Sequence, residues 1–240
     1  MITGAIINAV GIGIGGLAAL FAKKPLPPNQ QKALQGLLGV ALVWFGLKLT
    51  WTSLNGSFVQ ILKQLIIVLL AMALGQFAGK LLHLQKRSNR LGQYATQILA
   101  APGTNPPFQV GFVLGSALFC AGPLGVLGSV QEGLDSLSPT LIIKTLIDGL
   151  TAMSFVLTFG WSVIVAAIPV LALEGALIRA SALAAAALQH SPLPLTDSIA
   201  ATDGLLIFCV ALIILEVRKV AVADYLPSLA LAPLLTWLFK

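Results

Sequence analysis

Lys144 and Asp148 stand four residues apart in a mostly apolar run, and on a helix that spacing puts both side chains on one face, where ammonium and carboxylate can neutralise each other. A lone charge at the centre of a membrane helix costs at least about 2.5 kcal/mol, so ionisable groups at that depth face the bundle interior or a wet pathway. At about 1.5 Å of rise per residue, Asp148 lies about 6 Å further along the axis than Lys144 and is the leading candidate for a functional acid. The bland alternative has Lys144 snorkelling toward head groups with Asp148 as its partner.

A second constellation precedes it. Phe119-Cys120-Ala121-Gly122-Pro123-Leu124-Gly125 runs on to Gly128-Ser129-Val130-Gln131-Glu132-Gly133. Proline donates no backbone hydrogen bond and its ring crowds the preceding turn. With Gly122 before Pro123 and Gly125 after it, the segment from Gly122 to Gly128 is expected to be non-helical or sharply bent. A break within a bilayer frees polar backbone groups that only protein or a water-filled cavity can satisfy, which is why broken helices mark substrate sites in transporters. The alternative is a simple kink satisfied by neighbouring helices. Ser129, Gln131 and Glu132 are the polar residues placed to line one space with Asp148. Asn8, among small residues, and Glu174, after Pro169, are further binding candidates. For Asn8 the competing role is a hydrogen-bonded cross-link between helices, and for Glu174 it is an ion pair with Arg179.

The elements that must position these groups are membrane helices. The 240 residues are 58% hydrophobic and 9% charged, with a mean hydropathy of +0.96. About eight segments approach the ~20 apolar residues needed to cross a bilayer. They read as 2–22, 33–54, 58–83, 106–130, 139–160, 162–188, 200–217 and 224–239. The expected fold is an all-α polytopic transmembrane bundle, one integral membrane domain over 1–240, with span four broken at Gly122-Pro123 and no soluble catalytic domain. Residues 84–105 mix Lys86, Arg87 and Arg90 with Leu91, Tyr94, Ile98 and Leu99 ahead of Pro102-Gly103, which suits an amphipathic helix on the interface. The N-terminus has neither the cationic region nor the cleavage site of a removable signal peptide.

Lys23, Lys24, Lys32, Lys80, Lys86, Arg87, Arg90, Arg218 and Lys219 fall on one side of this arrangement, and Lys48, Lys63, Lys144, Arg179 and Lys240 toward the other. The positive-inside rule makes the first side cytoplasmic, so both termini are expected outside the inner membrane. Ala33-Leu34-Gln35-Gly36-Leu37-Leu38 weakly matches Ala201-Thr202-Asp203-Gly204-Leu205-Leu206 on spans of opposite direction, the pattern of an inverted repeat.

Gly11-Ile12-Gly13-Ile14-Gly15-Gly16 formally fits the dinucleotide fingerprint but sits mid-span, where small residues let helices approach closely. Gly75/Gly79 and Gly111/Gly115 read as packing faces too. Cys120 and Cys209 lie in apolar runs and behave as small hydrophobes. Glu216 adjoins Arg218 and Lys219 at an interface. His83 and His190 have no ligand-spaced partners, so neither a metal centre nor a cofactor is expected. The formal charge of +6 reports loops that meet anionic lipid head groups rather than nucleic acid.

The FC-x-G…GS-x-Q-[DE]-G-L run from Phe119 to Leu134, together with Gly4-Ala5-Ile6-Ile7-Asn8-Ala9, Lys144-Thr145-Leu146-Ile147-Asp148-Gly149, Ala167-Ile168-Pro169-Val170, Gly204-Leu205-Leu206 and Leu226-Pro227, resembles the family known as domain of unknown function 554 over nearly the whole chain. The resemblance implies a bacterial polytopic inner-membrane protein of transporter character without an established substrate. Where that family usually reads Gly-Gly before the Leu-Leu of span seven, this chain has Asp203-Gly204, which adds an acid near the outer interface.

The leading expectation is a transporter or channel for a small solute or ion, its pathway lined by the broken span four and Asp148. The alternatives are a membrane-embedded enzyme acting on a lipid-like substrate and a non-catalytic scaffold. An enzyme would need two reactive groups within reach of one point, and no Ser-His-Asp or Ser-Lys arrangement can be placed at common depth from the sequence. The bilayer is the expected partner, and a homo-oligomer is left open.

Overall fold

A computed structural model describes residues 2–22, 27–99, 108–135, 138–188 and 194–239. Among these residues there is no strand. The helices are α1 (Thr3–Ala22), α2 (Pro28–Thr52), α3 (Phe58–Leu81), α4 (Leu84–Leu99), α5 (Phe108–Ala121), α6 (Pro123–Leu134), α7 (Pro139–Phe159), α8 (Ser162–Val165), α9 (Ala167–Leu188), α10 (Leu195–Ile214), α11 (Val222–Tyr225) and α12 (Ser228–Leu238). Six stretches are long and apolar enough to cross a membrane, namely α1, α2, α3, α7, Ser162–Leu188 and α10, and the bent pair α5–α6 makes a seventh. The eighth expected span corresponds to the shorter apolar stretch Val222–Leu238.

Local chemistry sets the helix ends. Pro28 and Pro139 occupy first-turn positions, where a missing N–H costs nothing. Ser138 caps α7 by accepting from the Leu141 amide at 3.2 Å, and Gln60 reaches back to the Ser57 amide at 2.8 Å ahead of α3. Gly160 ends α7 with φ 72°, a conformation that glycine adopts without steric cost. The expected amphipathic helix after span three forms over Leu84–Leu99, with Lys86, Arg87 and Arg90 exposed; Pro102-Gly103 lie outside the described residues.

Glycine faces bring the helices together. Gly11 and Gly15 of α1 lie against Thr145 and Gly149 of α7, and the two helices run parallel. α2 packs antiparallel on α10, with Gly46 meeting Gly204 and Gly39 meeting Leu215. α3 packs antiparallel on α11 and α12 through Gly79 against Asp224 and Gly75 against Ser228. Gly133 of α6 meets Ser181 of α9. Gly111 and Gly115 face Ser162, Val163 and Ala166 on and just after α8. The matched hexapeptides of α2 and α10 are not in register at this interface, since Gly36 meets nothing while Gly204 meets Gly46.

Through these pairings the start of α1, the α2–α3 turn, the α6–α7 turn and the end of α12 share one end of the bundle. The α3–α4 junction and the end of α10 share the other. The core is layered between Leu114, Phe119, Val156, Val163 and Val170 on one side and Leu42, Leu127, Leu206 and Ile207 on the other. The exterior is apolar as well: Phe21, Trp44, Val59 and Phe77 are at least 64% exposed. Lipid rather than water is the solvent such a surface fits.

Candidate functional site

α5 and α6 meet at an angle of 56°. Gly122 is extended there (φ −65°, ψ 128°), and Pro123 opens α6 as its first residue. The break is therefore a single residue. Of the two expected forms the sharp bend is the one that occurs, while the stretch on to Gly128 is not irregular: from Pro123 onward the chain is helical through Leu134, because a proline in the first turn surrenders an amide that has no intrahelical partner anyway.

The missing amide still has a consequence. In a continuous helix residue 123 would donate to the carbonyl of Phe119, four residues earlier. In this chain that carbonyl accepts instead from the Lys144 ammonium, at 3.1 Å. The same ammonium pairs with Asp148 one turn along α7 and with Glu174 of α9 at 3.2 Å. Lys144 is only 2% exposed, so it does not snorkel. Asn8 of α1 completes the cluster, its side-chain amide donating to Asp148 at 3.2 Å and to both Glu174 oxygens at 2.9 and 3.1 Å. Its own Oδ1 has no partner. Gly125 of α6 provides the remaining wall: a Cβ there would lie 3.1 Å from Lys144 Cε and 3.3 Å from Glu174 Oε1. Five helices thus converge on one ammonium and two carboxylates.

Other candidates fall elsewhere. Glu132 accepts the Gly4 amide on both oxygens at 2.9 Å and so caps α1, whose first-turn amides lack intrahelical acceptors. Gln131 accepts from the Ser138 hydroxyl at 2.7 Å, and Ser129 is wholly buried with its hydroxyl unpartnered. The expectation that Ser129, Gln131 and Glu132 share one space with Asp148 is thereby corrected. They follow the break by about two turns of α6, so they sit toward its far end. Glu174 pairs with Lys144, whereas Arg179 is exposed. Asp203 lines a cleft at the end of the bundle that holds the start of α1, is wholly buried, and neither of its oxygens has a partner.

Two clefts approach this interior from opposite ends. The first, of about 270 Å³, reaches from Gln85 and Ser88 of α4 to Pro123, Lys144 and Asp148. The second, of about 230 Å³, is lined at the other end by Thr52, Gln131, Asp135, Asp197 and Asp203. At the mouth of the first, the Gln85 amide donates to Asp224 Oδ1 at 2.8 Å and its side-chain carbonyl accepts from the Ala223 amide at 3.0 Å, which ties α4 to α11. Sequence reading passed over Gln85 and Asp224 because their contact joins segments 139 residues apart. The role of the Phe119 carbonyl, by contrast, carried a local signal in its position four residues before Pro123.

A bundle of apolar helices around a buried ion cluster at a broken span is that of a multi-pass membrane protein. The chain belongs to the family described as Protein of unknown function (DUF554), whose model matches residues 3–237. It is 29% identical over 240 residues to "Uncharacterized protein YqgA" of Escherichia coli (strain K12), which covers 97% of this chain and 95% of that protein. It is 26% identical over 230 residues to "Uncharacterized membrane protein YdfK" of Bacillus subtilis (strain 168), covering 96% and 93% respectively. No solved structure matches it.

Proposed function

We propose that this protein is an inner-membrane carrier for a small cation, protons included, with the Lys144–Asp148–Glu174–Asn8 cluster at the broken helix as its transit site and both chain ends outside. The observation that carries the reading is the imbalance of that cluster. One ammonium faces two carboxylates, and the one unsatisfied atom of Asn8 is an acceptor. Buried carboxylates are held by paired charge and hydrogen bonds, so the excess anion and the free acceptor together suit an additional positive guest. The cleft that touches Pro123, Lys144 and Asp148 offers its entry.

A carrier suits the arrangement better than an open pore. Along α6 the wholly buried Leu127 lies between Leu124 of the first cleft and Gln131 of the second. Along α10 Leu206 and Ile207, equally buried, separate Asp203 from Val210 in the same way. An apolar layer between two blind clefts supports alternating access.

Flux of protons, Na+ and K+ into liposomes carrying entrapped indicator dyes tests the reading. Asp148→Asn removes one carboxylate yet leaves Lys144 balanced by Glu174, so the protein should fold. Charge-assisted hydrogen bonds are worth about 1.5–3 kcal/mol, and flux of the transported ion should fall at least about tenfold. Equal rates in wild type and a folded Asp148→Asn protein, for every ion tried, would remove the cluster from the pathway.

A further inference from the structure

We infer that Asp203 is a second cation site, separate from the Lys144 cluster, at which a monovalent cation, H+ or Na+, arriving through the cleft at the chain-terminal end neutralises the carboxylate. Asp203 lies on α10 eight residues after Leu195, about 12 Å into the bundle at the helical rise. It is 0% exposed, and neither carboxylate oxygen has a hydrogen-bond partner. An ionised carboxylate removed from water without a counter-charge or donors is costly enough that it must acquire a partner.

Among the described residues, none donates to either oxygen. Lys144 is committed to Asp148 and Glu174. The elements packed on α10 bring no described cation to the Asp203 carboxylate. From α2 come Thr52 and Ser53, with Lys48 exposed; from α6 comes Gln131. From α3 the cation at this end, Lys63, is exposed and lines the neighbouring cavity with Asp197 and with Thr236 of α12. From α9, Arg179 is exposed, and Asp224 of α11 is engaged by Gln85 at the opposite end. What Asp203 does share is a cleft with Asp197 and Asp135. Nearby acids raise the local concentration of cations, and Asp197 in this cleft adds to the pull of the wholly buried Asp203 carboxylate. Among the described residues no cluster of three or more His, Cys, Asp or Glu side chains is placed to ligate a multivalent metal ion, and two orphan oxygens suit a single positive charge.

Reaction of the purified protein with dicyclohexylcarbodiimide, an apolar reagent that modifies protonated carboxyls, tests this when read by peptide mass mapping. A proton site gives Asp203 labelling that declines as pH rises. A sodium site gives labelling that Na+ suppresses at fixed pH and ionic strength, with choline as the control salt. Asp203→Asn should lose the modified peptide, and Asp148→Asn should keep it with the same pH or Na+ dependence. The measurement needs no flux, so it stands whether or not the transport reading does. Absence of labelling at Asp203 would show that the cleft does not deliver to it, and labelling indifferent to both pH and Na+ would make it a static structural acid; either result overturns the site.

Discussion

At the level of single residues, the cluster is held by one proline's missing amide. Pro123 cannot donate to the Phe119 carbonyl, Lys144 fills that vacancy, and the ammonium so anchored brings Asp148 and Glu174 within reach of Asn8. Lys144 is therefore the residue whose loss should cost most. Lys144→Met keeps the side chain's bulk but leaves two carboxylates buried without a cation, and breaking a buried pair in this way typically costs about 3–5 kcal/mol. The melting temperature of the purified protein in detergent should fall clearly for Lys144→Met and much less for Asp148→Asn, which still leaves Lys144 a carboxylate and a carbonyl. Equal melting temperatures for wild type and Lys144→Met would mean that the ammonium contributes nothing to the fold.

The helices themselves are placed by close approach. Within a bilayer there is little hydrophobic drive between helices, so small residues that let backbones touch decide which faces pair. α1 offers an internal comparison. A Cβ on Gly15 would collide with the Gly149 carbonyl of α7, whereas one on Gly13 would meet nothing within 4 Å. Gly15→Ala should accordingly destabilise by about 1–3 kcal/mol, the range of overpacking. Gly13→Ala should be neutral or stabilising by up to about 1 kcal/mol, since it only relieves glycine's conformational entropy. Because α1 carries Asn8 and α7 carries Asp148, Gly15→Ala should also slow flux. Matching thermal melts for the two variants would argue that α1 and α7 do not touch as described.

For the molecule as a whole, the helix directions put the start of α1, the α2–α3 turn and the end of α12 at one end, with α4 and its exposed Lys86, Arg87 and Arg90 at the other. On the positive-inside rule the α4 end is expected to face the cytoplasm. A cysteine introduced at Asn55, on a background lacking Cys120 and Cys209, should react in intact cells with a membrane-impermeant maleimide, and one at Ser88 should react only after the membrane is opened. Ready labelling at Ser88 from outside would invert the arrangement and exchange the faces to which the two clefts open.

The apolar runs by themselves determined that the chain is a helical membrane bundle, since some 20 apolar residues in succession leave no other stable state. Gly122-Pro123 located the break in span four, because proline acts on the turn that precedes it. Lys144 and Asp148 were legible as partners for the same reason, being one turn apart. The sequence could not say that Glu174 would choose Lys144 over Arg179, that Asn8 would bridge both acids, that Glu132 would cap α1 instead of joining Asp148, or that Asp203 would be buried without a partner. Glu174 and Arg179 are near neighbours on α9, yet the helix presents one inward and the other outward. That choice belongs to the glycine contacts, which set the rotation and depth of each helix against partners far away along the chain. Periodicity within one helix carries no record of such contacts.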